Sequence, residues 1–323
     1  MLTFIVRRLL AAVLVMFVIT VIVFVIFFKT PGVDPARAIA GRNPSAQVIQ
    51  EIREQFGLDK PLPVQYGQMM KSIFISRDLV SYSNQGIKVV PEIAAATPAT
   101  LSLVFGAAII WVVMAIAIGV AAALLRGTLF DPLLMVLALI GVSAPVFWVG
   151  QVANMITQGG LHSTFLFSWV PPLGYTPFTQ DPLLWFKGLV IPWITLSILY
   201  IGLYGRVLRA NILETQTEDF VRTARAKGIT ERQVLLRHTL RTSMITFVSL
   251  FGLDFGALVA GGALLTEVVF GIHGVGYLTY QALNNLDLPT IMATVVYGAF
   301  FIVLANALVD IAYAWLDPRI RPT

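Results

Sequence analysis

The sequence predicts an all-α integral membrane protein with about six transmembrane helices, and three observations carry that reading. Hydrophobic residues fill 57% of the 323 positions. Charged residues fill only 12%, about half the share of a soluble domain. The apolar residues also fall in long runs. A helix rises about 1.5 Å per residue, so roughly 20 uncharged residues cross a bilayer core, and such a run recurs six times.

The first run is Leu9 to Phe28, between Arg8 and Lys29, with Thr20 as its polar residue. A cleaved signal peptide would also place Arg7 and Arg8 before an apolar stretch. This stretch exceeds the usual apolar region of about 7 to 15 residues, and Phe27-Phe28-Lys29-Thr30 is no small-residue cleavage site. A retained helix is expected. The second run lies within Ala99 to Leu125, after a break at Thr97-Pro98, and the third covers Leu133 to Ile156 with Pro145 inside it as a candidate kink, as Pro192 is in the fourth. The fourth starts at Asp181-Pro182, an N-cap with proline in the first turn, and passes Pro192 to about Leu208. Lys187 near its end can snorkel. The fifth, Ser243 to Phe270, contains Asp254, Glu267 and several glycines; the sixth runs from Thr290 to Trp315 and stops at Asp317-Pro318.

Basic residues orient the spans. Of 22, eight lie in the long loop after the first span, which translocates regardless of charge. Thirteen of the rest share one side with both termini, and Lys187 stands alone on the other. Both termini are expected in the cytoplasm, and the net charge of +5 reflects this anchoring, not a nucleic-acid partner. With no cysteine, the chain has no disulfide, thiol nucleophile or thiolate metal site. His162, His238 and His273 are scattered, so no metal site is expected. The chain lacks a phosphate-binding G-x-x-x-x-G-K-[ST] loop, and Asp254 has no second aspartate in a matching span for intramembrane proteolysis. No enzyme is expected, and no cofactor on this chain.

The external segment Lys29 to Thr97 reads as partly helical. Val48, Ile49, Ile52 and Phe56 give one amphipathic helix ended by Gly57, and Met69, Met70, Ile73 and Phe74 another after Pro61 and Pro63. It is either a cap on neighbouring helices or a partner-docking surface. In the cytoplasmic loop from Arg206 to Thr242, Thr217 is a candidate N-cap, Glu218 and Asp219 fall in the first turn, and Gly228 takes the C′ position. Thr217, Phe220, Val221 and Ala224 then share an apolar stripe, while Glu218, Arg222 and Arg225 point elsewhere. A second helix begins at Thr230, with Thr230 and Gln233 fitting a capping box. On periodicity alone the stripe could equally lie on the membrane surface.

The stretch Asp219-Phe220-Val221-Arg222-Thr223-Ala224-Arg225-Ala226-Lys227-Gly228, followed by Leu235-Leu236-Arg237-His238, resembles the EAA loop of bacterial ABC importer permeases of the dipeptide and oligopeptide class. Arg222, Thr223 and Ala224 hold the E-A-A positions, without the glutamate and first alanine. The resemblance runs on through Pro31-Gly32-Val33-Asp34-Pro35, Phe56-Gly57-Leu58-Asp59, Thr97-Pro98-Ala99-Thr100-Leu101, Thr266-Glu267-Val268-Val269-Phe270-Gly271, Gly274-Val275-Gly276, Leu308-Val309-Asp310 and Leu316-Asp317-Pro318-Arg319. Departures are His273, where many members have proline, and Arg77-Asp78-Leu79-Val80, where a glycine-bracketed Asp-Leu is common.

This resemblance implies the type I ABC importer permease fold, divided as 1–28, 29–98, a core of 99–316 containing the 206–242 loop, and a tail 317–323. It implies a complex in the bacterial inner membrane with a second permease subunit, two cytoplasmic ATPase subunits that hold ATP and Mg, and an extracytoplasmic binding protein. Phe220, Val221, Arg222, Thr223, Ala224, Lys227 and Gly228 would couple to the ATPase, and the path would carry peptides. Acidic groups are costly in lipid and should face the bundle interior or water, which makes Asp254 and Glu267 the pathway candidates. They stand 13 residues apart, about 220° around an unbroken helix, so they need not share a lumen, and the glycines between them can break the helix and leave Glu267 near the outer surface. Asp254 is the better placed to meet a peptide amino group, unless a neighbouring basic or hydroxyl group takes it. The rival reading is an ion-coupled secondary transporter or channel using these two acids.

Overall fold

The computed structural model describes residues 2–29, 36–37, 44–55, 57–84 and 86–316. Pro31–Pro35, Phe56 and the tail from Asp317, each used in the sequence reading, lie outside the described residues, as does the side chain of Asp310.

Among the described residues the helices are α1 Leu2–Lys29, α2 Ala46–Gln55, α3 Leu62–Phe74, α4 Val89–Leu124, α5 Phe130–Ser143, α6 Val146–Thr157, α7 Pro182–Thr215, α8 Asp219–Ala226, α9 Glu231–Gly262, α10 Leu264–Phe270, α11 Val275–Asn284 and α12 Leu288–Leu316. By length and apolar composition α4, α7, α9 and α12 can each cross a membrane, and α5 with α6 makes a fifth, bent span. The 28-residue α1, apolar from Leu10 to Ile26, stands where the first span is expected.

One span differs from the sequence reading, and two others break at residues it singled out. Helix α4 begins at Val89 and runs straight through Pro98, with no break there. A proline removes one hydrogen bond, and here packing outweighs it: Val89 and Ile93 cluster with Val275 and Ala293, and the Thr97 hydroxyl donates to the Ile93 carbonyl at 2.7 Å. The third span is two helices at 95°. Proline disfavours the α region at the residue before it, and Ala144 is extended at φ −86°, ψ 127°. The fifth span stops at Gly261, φ 135°, so Glu267 falls on the separate helix α10.

The expected Asp181 cap is present, its carboxylate accepting from the Leu183 and Leu184 amides at 2.9 Å each. The capping box at Thr230 is not formed, since no side chain caps that end. At the opposite end of the bundle from α8, α3 lies along α1. Phe24 and Val23 pack with Met69, Ile73 and Met292 of α12, and Thr20 pairs with the Tyr66 hydroxyl at 2.8 Å. That pairing satisfies the one polar side chain of the first apolar run. The main core joins α4, α7 and α9 through Leu103, Trp111, Leu196, Tyr204, Leu208 and Phe247. Helix α9 contains π-helical turns at both ends, Val234–Thr239 and Leu258–Gly262.

Candidate coupling surface and translocation path

Helix α8 is short because both its ends are fixed locally. Glu218, in extended conformation, is its N-cap residue, one position later than expected, while the Thr217 hydroxyl donates back to the Glu214 carbonyl at 2.7 Å. At the other end Gly228 takes φ +77°. Its amide donates to Arg225 and the Ile229 amide to Ala224, at 2.9 and 3.4 Å. This is a Schellman turn, and its usual apolar contact is present because Ile229 packs with Val221, Ala224 and Val234.

The apolar stripe is therefore divided. Val221 is fully buried and Ala224 is 5% exposed, both against α9 of the same chain, whereas Phe220 is 43% exposed. A partner meeting α8 would touch Phe220, Arg222, Thr223 and Lys227, all exposed. Arg222 lies 3.5 Å from Asp219 with both side chains in solvent, a pair worth little. Arg225 makes a two-pronged pair with Glu231 across the glycine turn, at 2.8 and 3.2 Å, and so holds α8 to α9. At the same end, Arg209 of α7 grips Asp131 in the first turn of α5 at 2.6 and 2.5 Å.

Asp254 stands on α9 and accepts a hydrogen bond from the Tyr204 hydroxyl of α7 at 2.6 Å. Around Tyr204 lie Phe247, 5.0 Å between ring centres, and Trp111, which stacks on Tyr200 at 4.7 Å and meets Phe251 at 5.7 Å. Asp254 is half-buried and makes no ion pair among the described residues. The arrangement is one carboxylate with a phenol and several aromatic faces, groups that attract an organic cation. Sequence reading found Asp254 without its neighbours and set a hydroxyl partner against a pathway role, and the Tyr204 hydroxyl is such a partner. The signal was available: Phe247, Phe251 and Asp254 recur at i, i+4 and i+7, and Tyr200 and Tyr204 at i, i+4.

Glu267 is placed differently. It is fully buried, accepting from the Thr100 hydroxyl at 2.6 Å and the Tyr277 amide at 2.8 Å, while the Val275 amide donates to Thr100 at 2.8 Å. Glu267 thus caps the start of α11 in place of that helix's own residue. Gly274 keeps the space open, because a Cβ there would lie 2.5 Å from both Glu267 Oε1 and Thr100 Oγ1. The two acids share no hydrogen-bond partner. Both carboxylate oxygens of Glu267 are engaged inside the protein, by Thr100 and Tyr277.

Residues 115–322 match the family described as the binding-protein-dependent transport system inner membrane component, and residues 1–104 match the N-terminal part of such a membrane component. The chain belongs to this family. Relatives align along nearly the whole permease. One described as a peptide transport system permease, from Brucella abortus (strain 2308), is 37% identical over 98% of both chains. The glutathione transport system permease of Salmonella paratyphi A is 35% identical over 99% of both. One described as a D,D-dipeptide transport system permease, from Escherichia coli (strain K12), is 36% identical over 95% of this permease and 94% of the relative. Among solved structures, the MetNI methionine ABC transporter in inward-facing conformations matches with a TM-score of 0.50 at 16% identity, over 71% of this permease and 96% of that chain. That likeness fixes the fold as that of an ABC importer permease. An ion-coupled transporter or channel finds no support in these matches.

Proposed function

We propose that this permease forms half of the path by which short peptides, delivered by a binding protein, cross the bacterial inner membrane. A second permease subunit supplies the other half, and two ATPase subunits holding ATP and Mg supply the energy. The chain itself hydrolyses nothing. Its termini and the 216–230 loop face the cytoplasm, in keeping with the thirteen-to-one bias of basic residues.

The observation that carries the reading is the continuity between α8 and Asp254. Helix α8 is latched by Val221, Ala224 and the Arg225–Glu231 pair to the root of α9, and α9 leads without a loop to Asp254. Motion of a partner bound at Phe220 and Thr223 would reach the carboxylate as rigid-body displacement. The peptide class rests on the names of relatives aligned end to end and on the fit of a peptide ammonium to Asp254, Tyr204 and the adjoining aromatic rings.

Uptake of a labelled dipeptide by cells carrying Asp254→Asn is the test. Uptake is expected to fall by about tenfold, as loss of one charge contact in a partly dry site implies, with the complex assembled in normal amounts. Unchanged uptake across peptides of different length would remove Asp254 from the path.

A further inference from the structure

A cavity of about 160 Å³ opens between α3 and the segment 78–82, at the end of the bundle remote from α8. At about 30 Å³ per water it has room for roughly five. It lies well below the range of about 300 to 1,000 Å³ typical of small-ligand sites. It suits one long side chain rather than a free substrate.

Its chemistry is selective. Asp78 is the charged residue of the lining; Gln68 and Ser72 add neutral polar groups, and Leu58, Met69 and Leu79 form apolar walls. The Ser76 hydroxyl donates to Asp78 at 2.5 Å. Together with Ser72 this holds the carboxyl below its usual range, nearby Lys88 adding a smaller effect. Asp78 makes no ion pair among the described residues. An ionised carboxylate beside an apolar sleeve complements a cation on a methylene stem, and a planar guanidinium can bond both carboxylate oxygens. Arginine is also among the side chains that most often anchor an interface from a pocket.

The walls are tied to two spans. The Val89 amide at the start of α4 donates to Leu79 at 2.8 Å. The Ser81 hydroxyl and Tyr82 amide donate to buried Asp287, beside the start of α12, at 2.5 and 2.9 Å. Met69 packs in one cluster with Met292 of α12.

We propose that this pocket is the socket for an arginine side chain of the binding protein, so that docking grips the outer ends of α4 and α12. The proposal rests on the functional reading above, which places this end of the bundle outside. In the whole complex, reconstituted in liposomes, ATP hydrolysis is titrated with the substrate-loaded binding protein. Asp78→Asn, which removes the charge, and Ser72→Phe, which fills the pocket, should each raise the half-saturating concentration of binding protein by about tenfold with the maximal rate kept. Asp78→Arg should be rescued by one Arg→Asp change on the docking face of the binding protein. If the wild-type complex responds to binding protein and both variants titrate like it, the socket is wrong and the permease reading stands. If the variants change peptide affinity while the binding-protein titration is unchanged, the occupant is substrate and the proposal is equally overturned. A wild-type complex indifferent to binding protein would overturn both readings.

Discussion

Glu267 is a fully buried carboxylate whose two oxygens accept from Thr100 and from the Tyr277 amide near the start of α11. Charge inside an apolar run marks it for function, but its partners Thr100 and Tyr277 lie 167 and 10 residues away, and no local pattern connects Thr100 to it. Asp254 was legible only as an acid inside a span, and the stripe it shares with Phe251 and Phe247 was the unused signal for its surroundings. The cap reading makes a definite forecast. Glu267→Gln turns an amide donor toward donors already present, and Gly274→Ala pushes a methyl into the carboxylate. Each should lower the stability of the purified permease by about 1–3 kcal/mol, read as a lower melting temperature in detergent. Arg77 is a second case. It takes φ +53°, a region that favours glycine, at the position where the resembling family commonly has glycine beside Asp-Leu. Arg77→Gly should relieve about 1 kcal/mol, slowing exchange of the Ser81 and Val89 amides, which donate to Ile87 and Leu79, by roughly fivefold.

Among elements, helices and their ends were mostly readable, and bends only in part: Pro145 and the glycines near Gly261 marked two of them, while Pro98 marked none. Gly228, the Asp181 cap, and α2 and α3 fall where glycine, acid and proline signals put them, because those signals act within a turn or two. Pro98 reads as a break and Pro145 as a candidate kink inside a span, yet the first sits inside a continuous helix and the second follows a full 95° bend. Distant packing decided between them: Val89 and Ile93, before Pro98, are held against α11 and α12. The stripe on α8 was found, but the side it turns to its own chain was not, since Val234 lies across a turn. This separates two variants. Ala224→Arg buries a charge between α8 and α9, and should loosen the loop, exposing 216–230 to protease. Phe220→Ala should leave protease resistance unchanged and still weaken retention of the ATPase, by about 1–2 kcal/mol for a truncated interface aromatic. Equal protease sensitivity in the two would show that Phe220 also packs inward.

For the whole molecule, composition and run length were sufficient to define an all-α membrane protein, because crossing a bilayer demands the same roughly 20 apolar residues wherever they occur. Which runs stay straight and which side chains meet across them depends on packing between segments far apart in sequence, as at Thr100–Glu267 and Tyr204–Asp254. Under the proposed function, α8 receives the work of a separate ATPase through its exposed face. The most direct measurement is cysteine cross-linking in membranes of the assembled complex. Phe220→Cys should form a bond to an ATPase subunit bearing cysteines along its docking groove, in an amount that changes between nucleotide-free and ATP-bound states. Val221→Cys, fully buried, should not. Cross-links from Val221 instead of Phe220, or none from either while peptide uptake proceeds normally, would contradict the account.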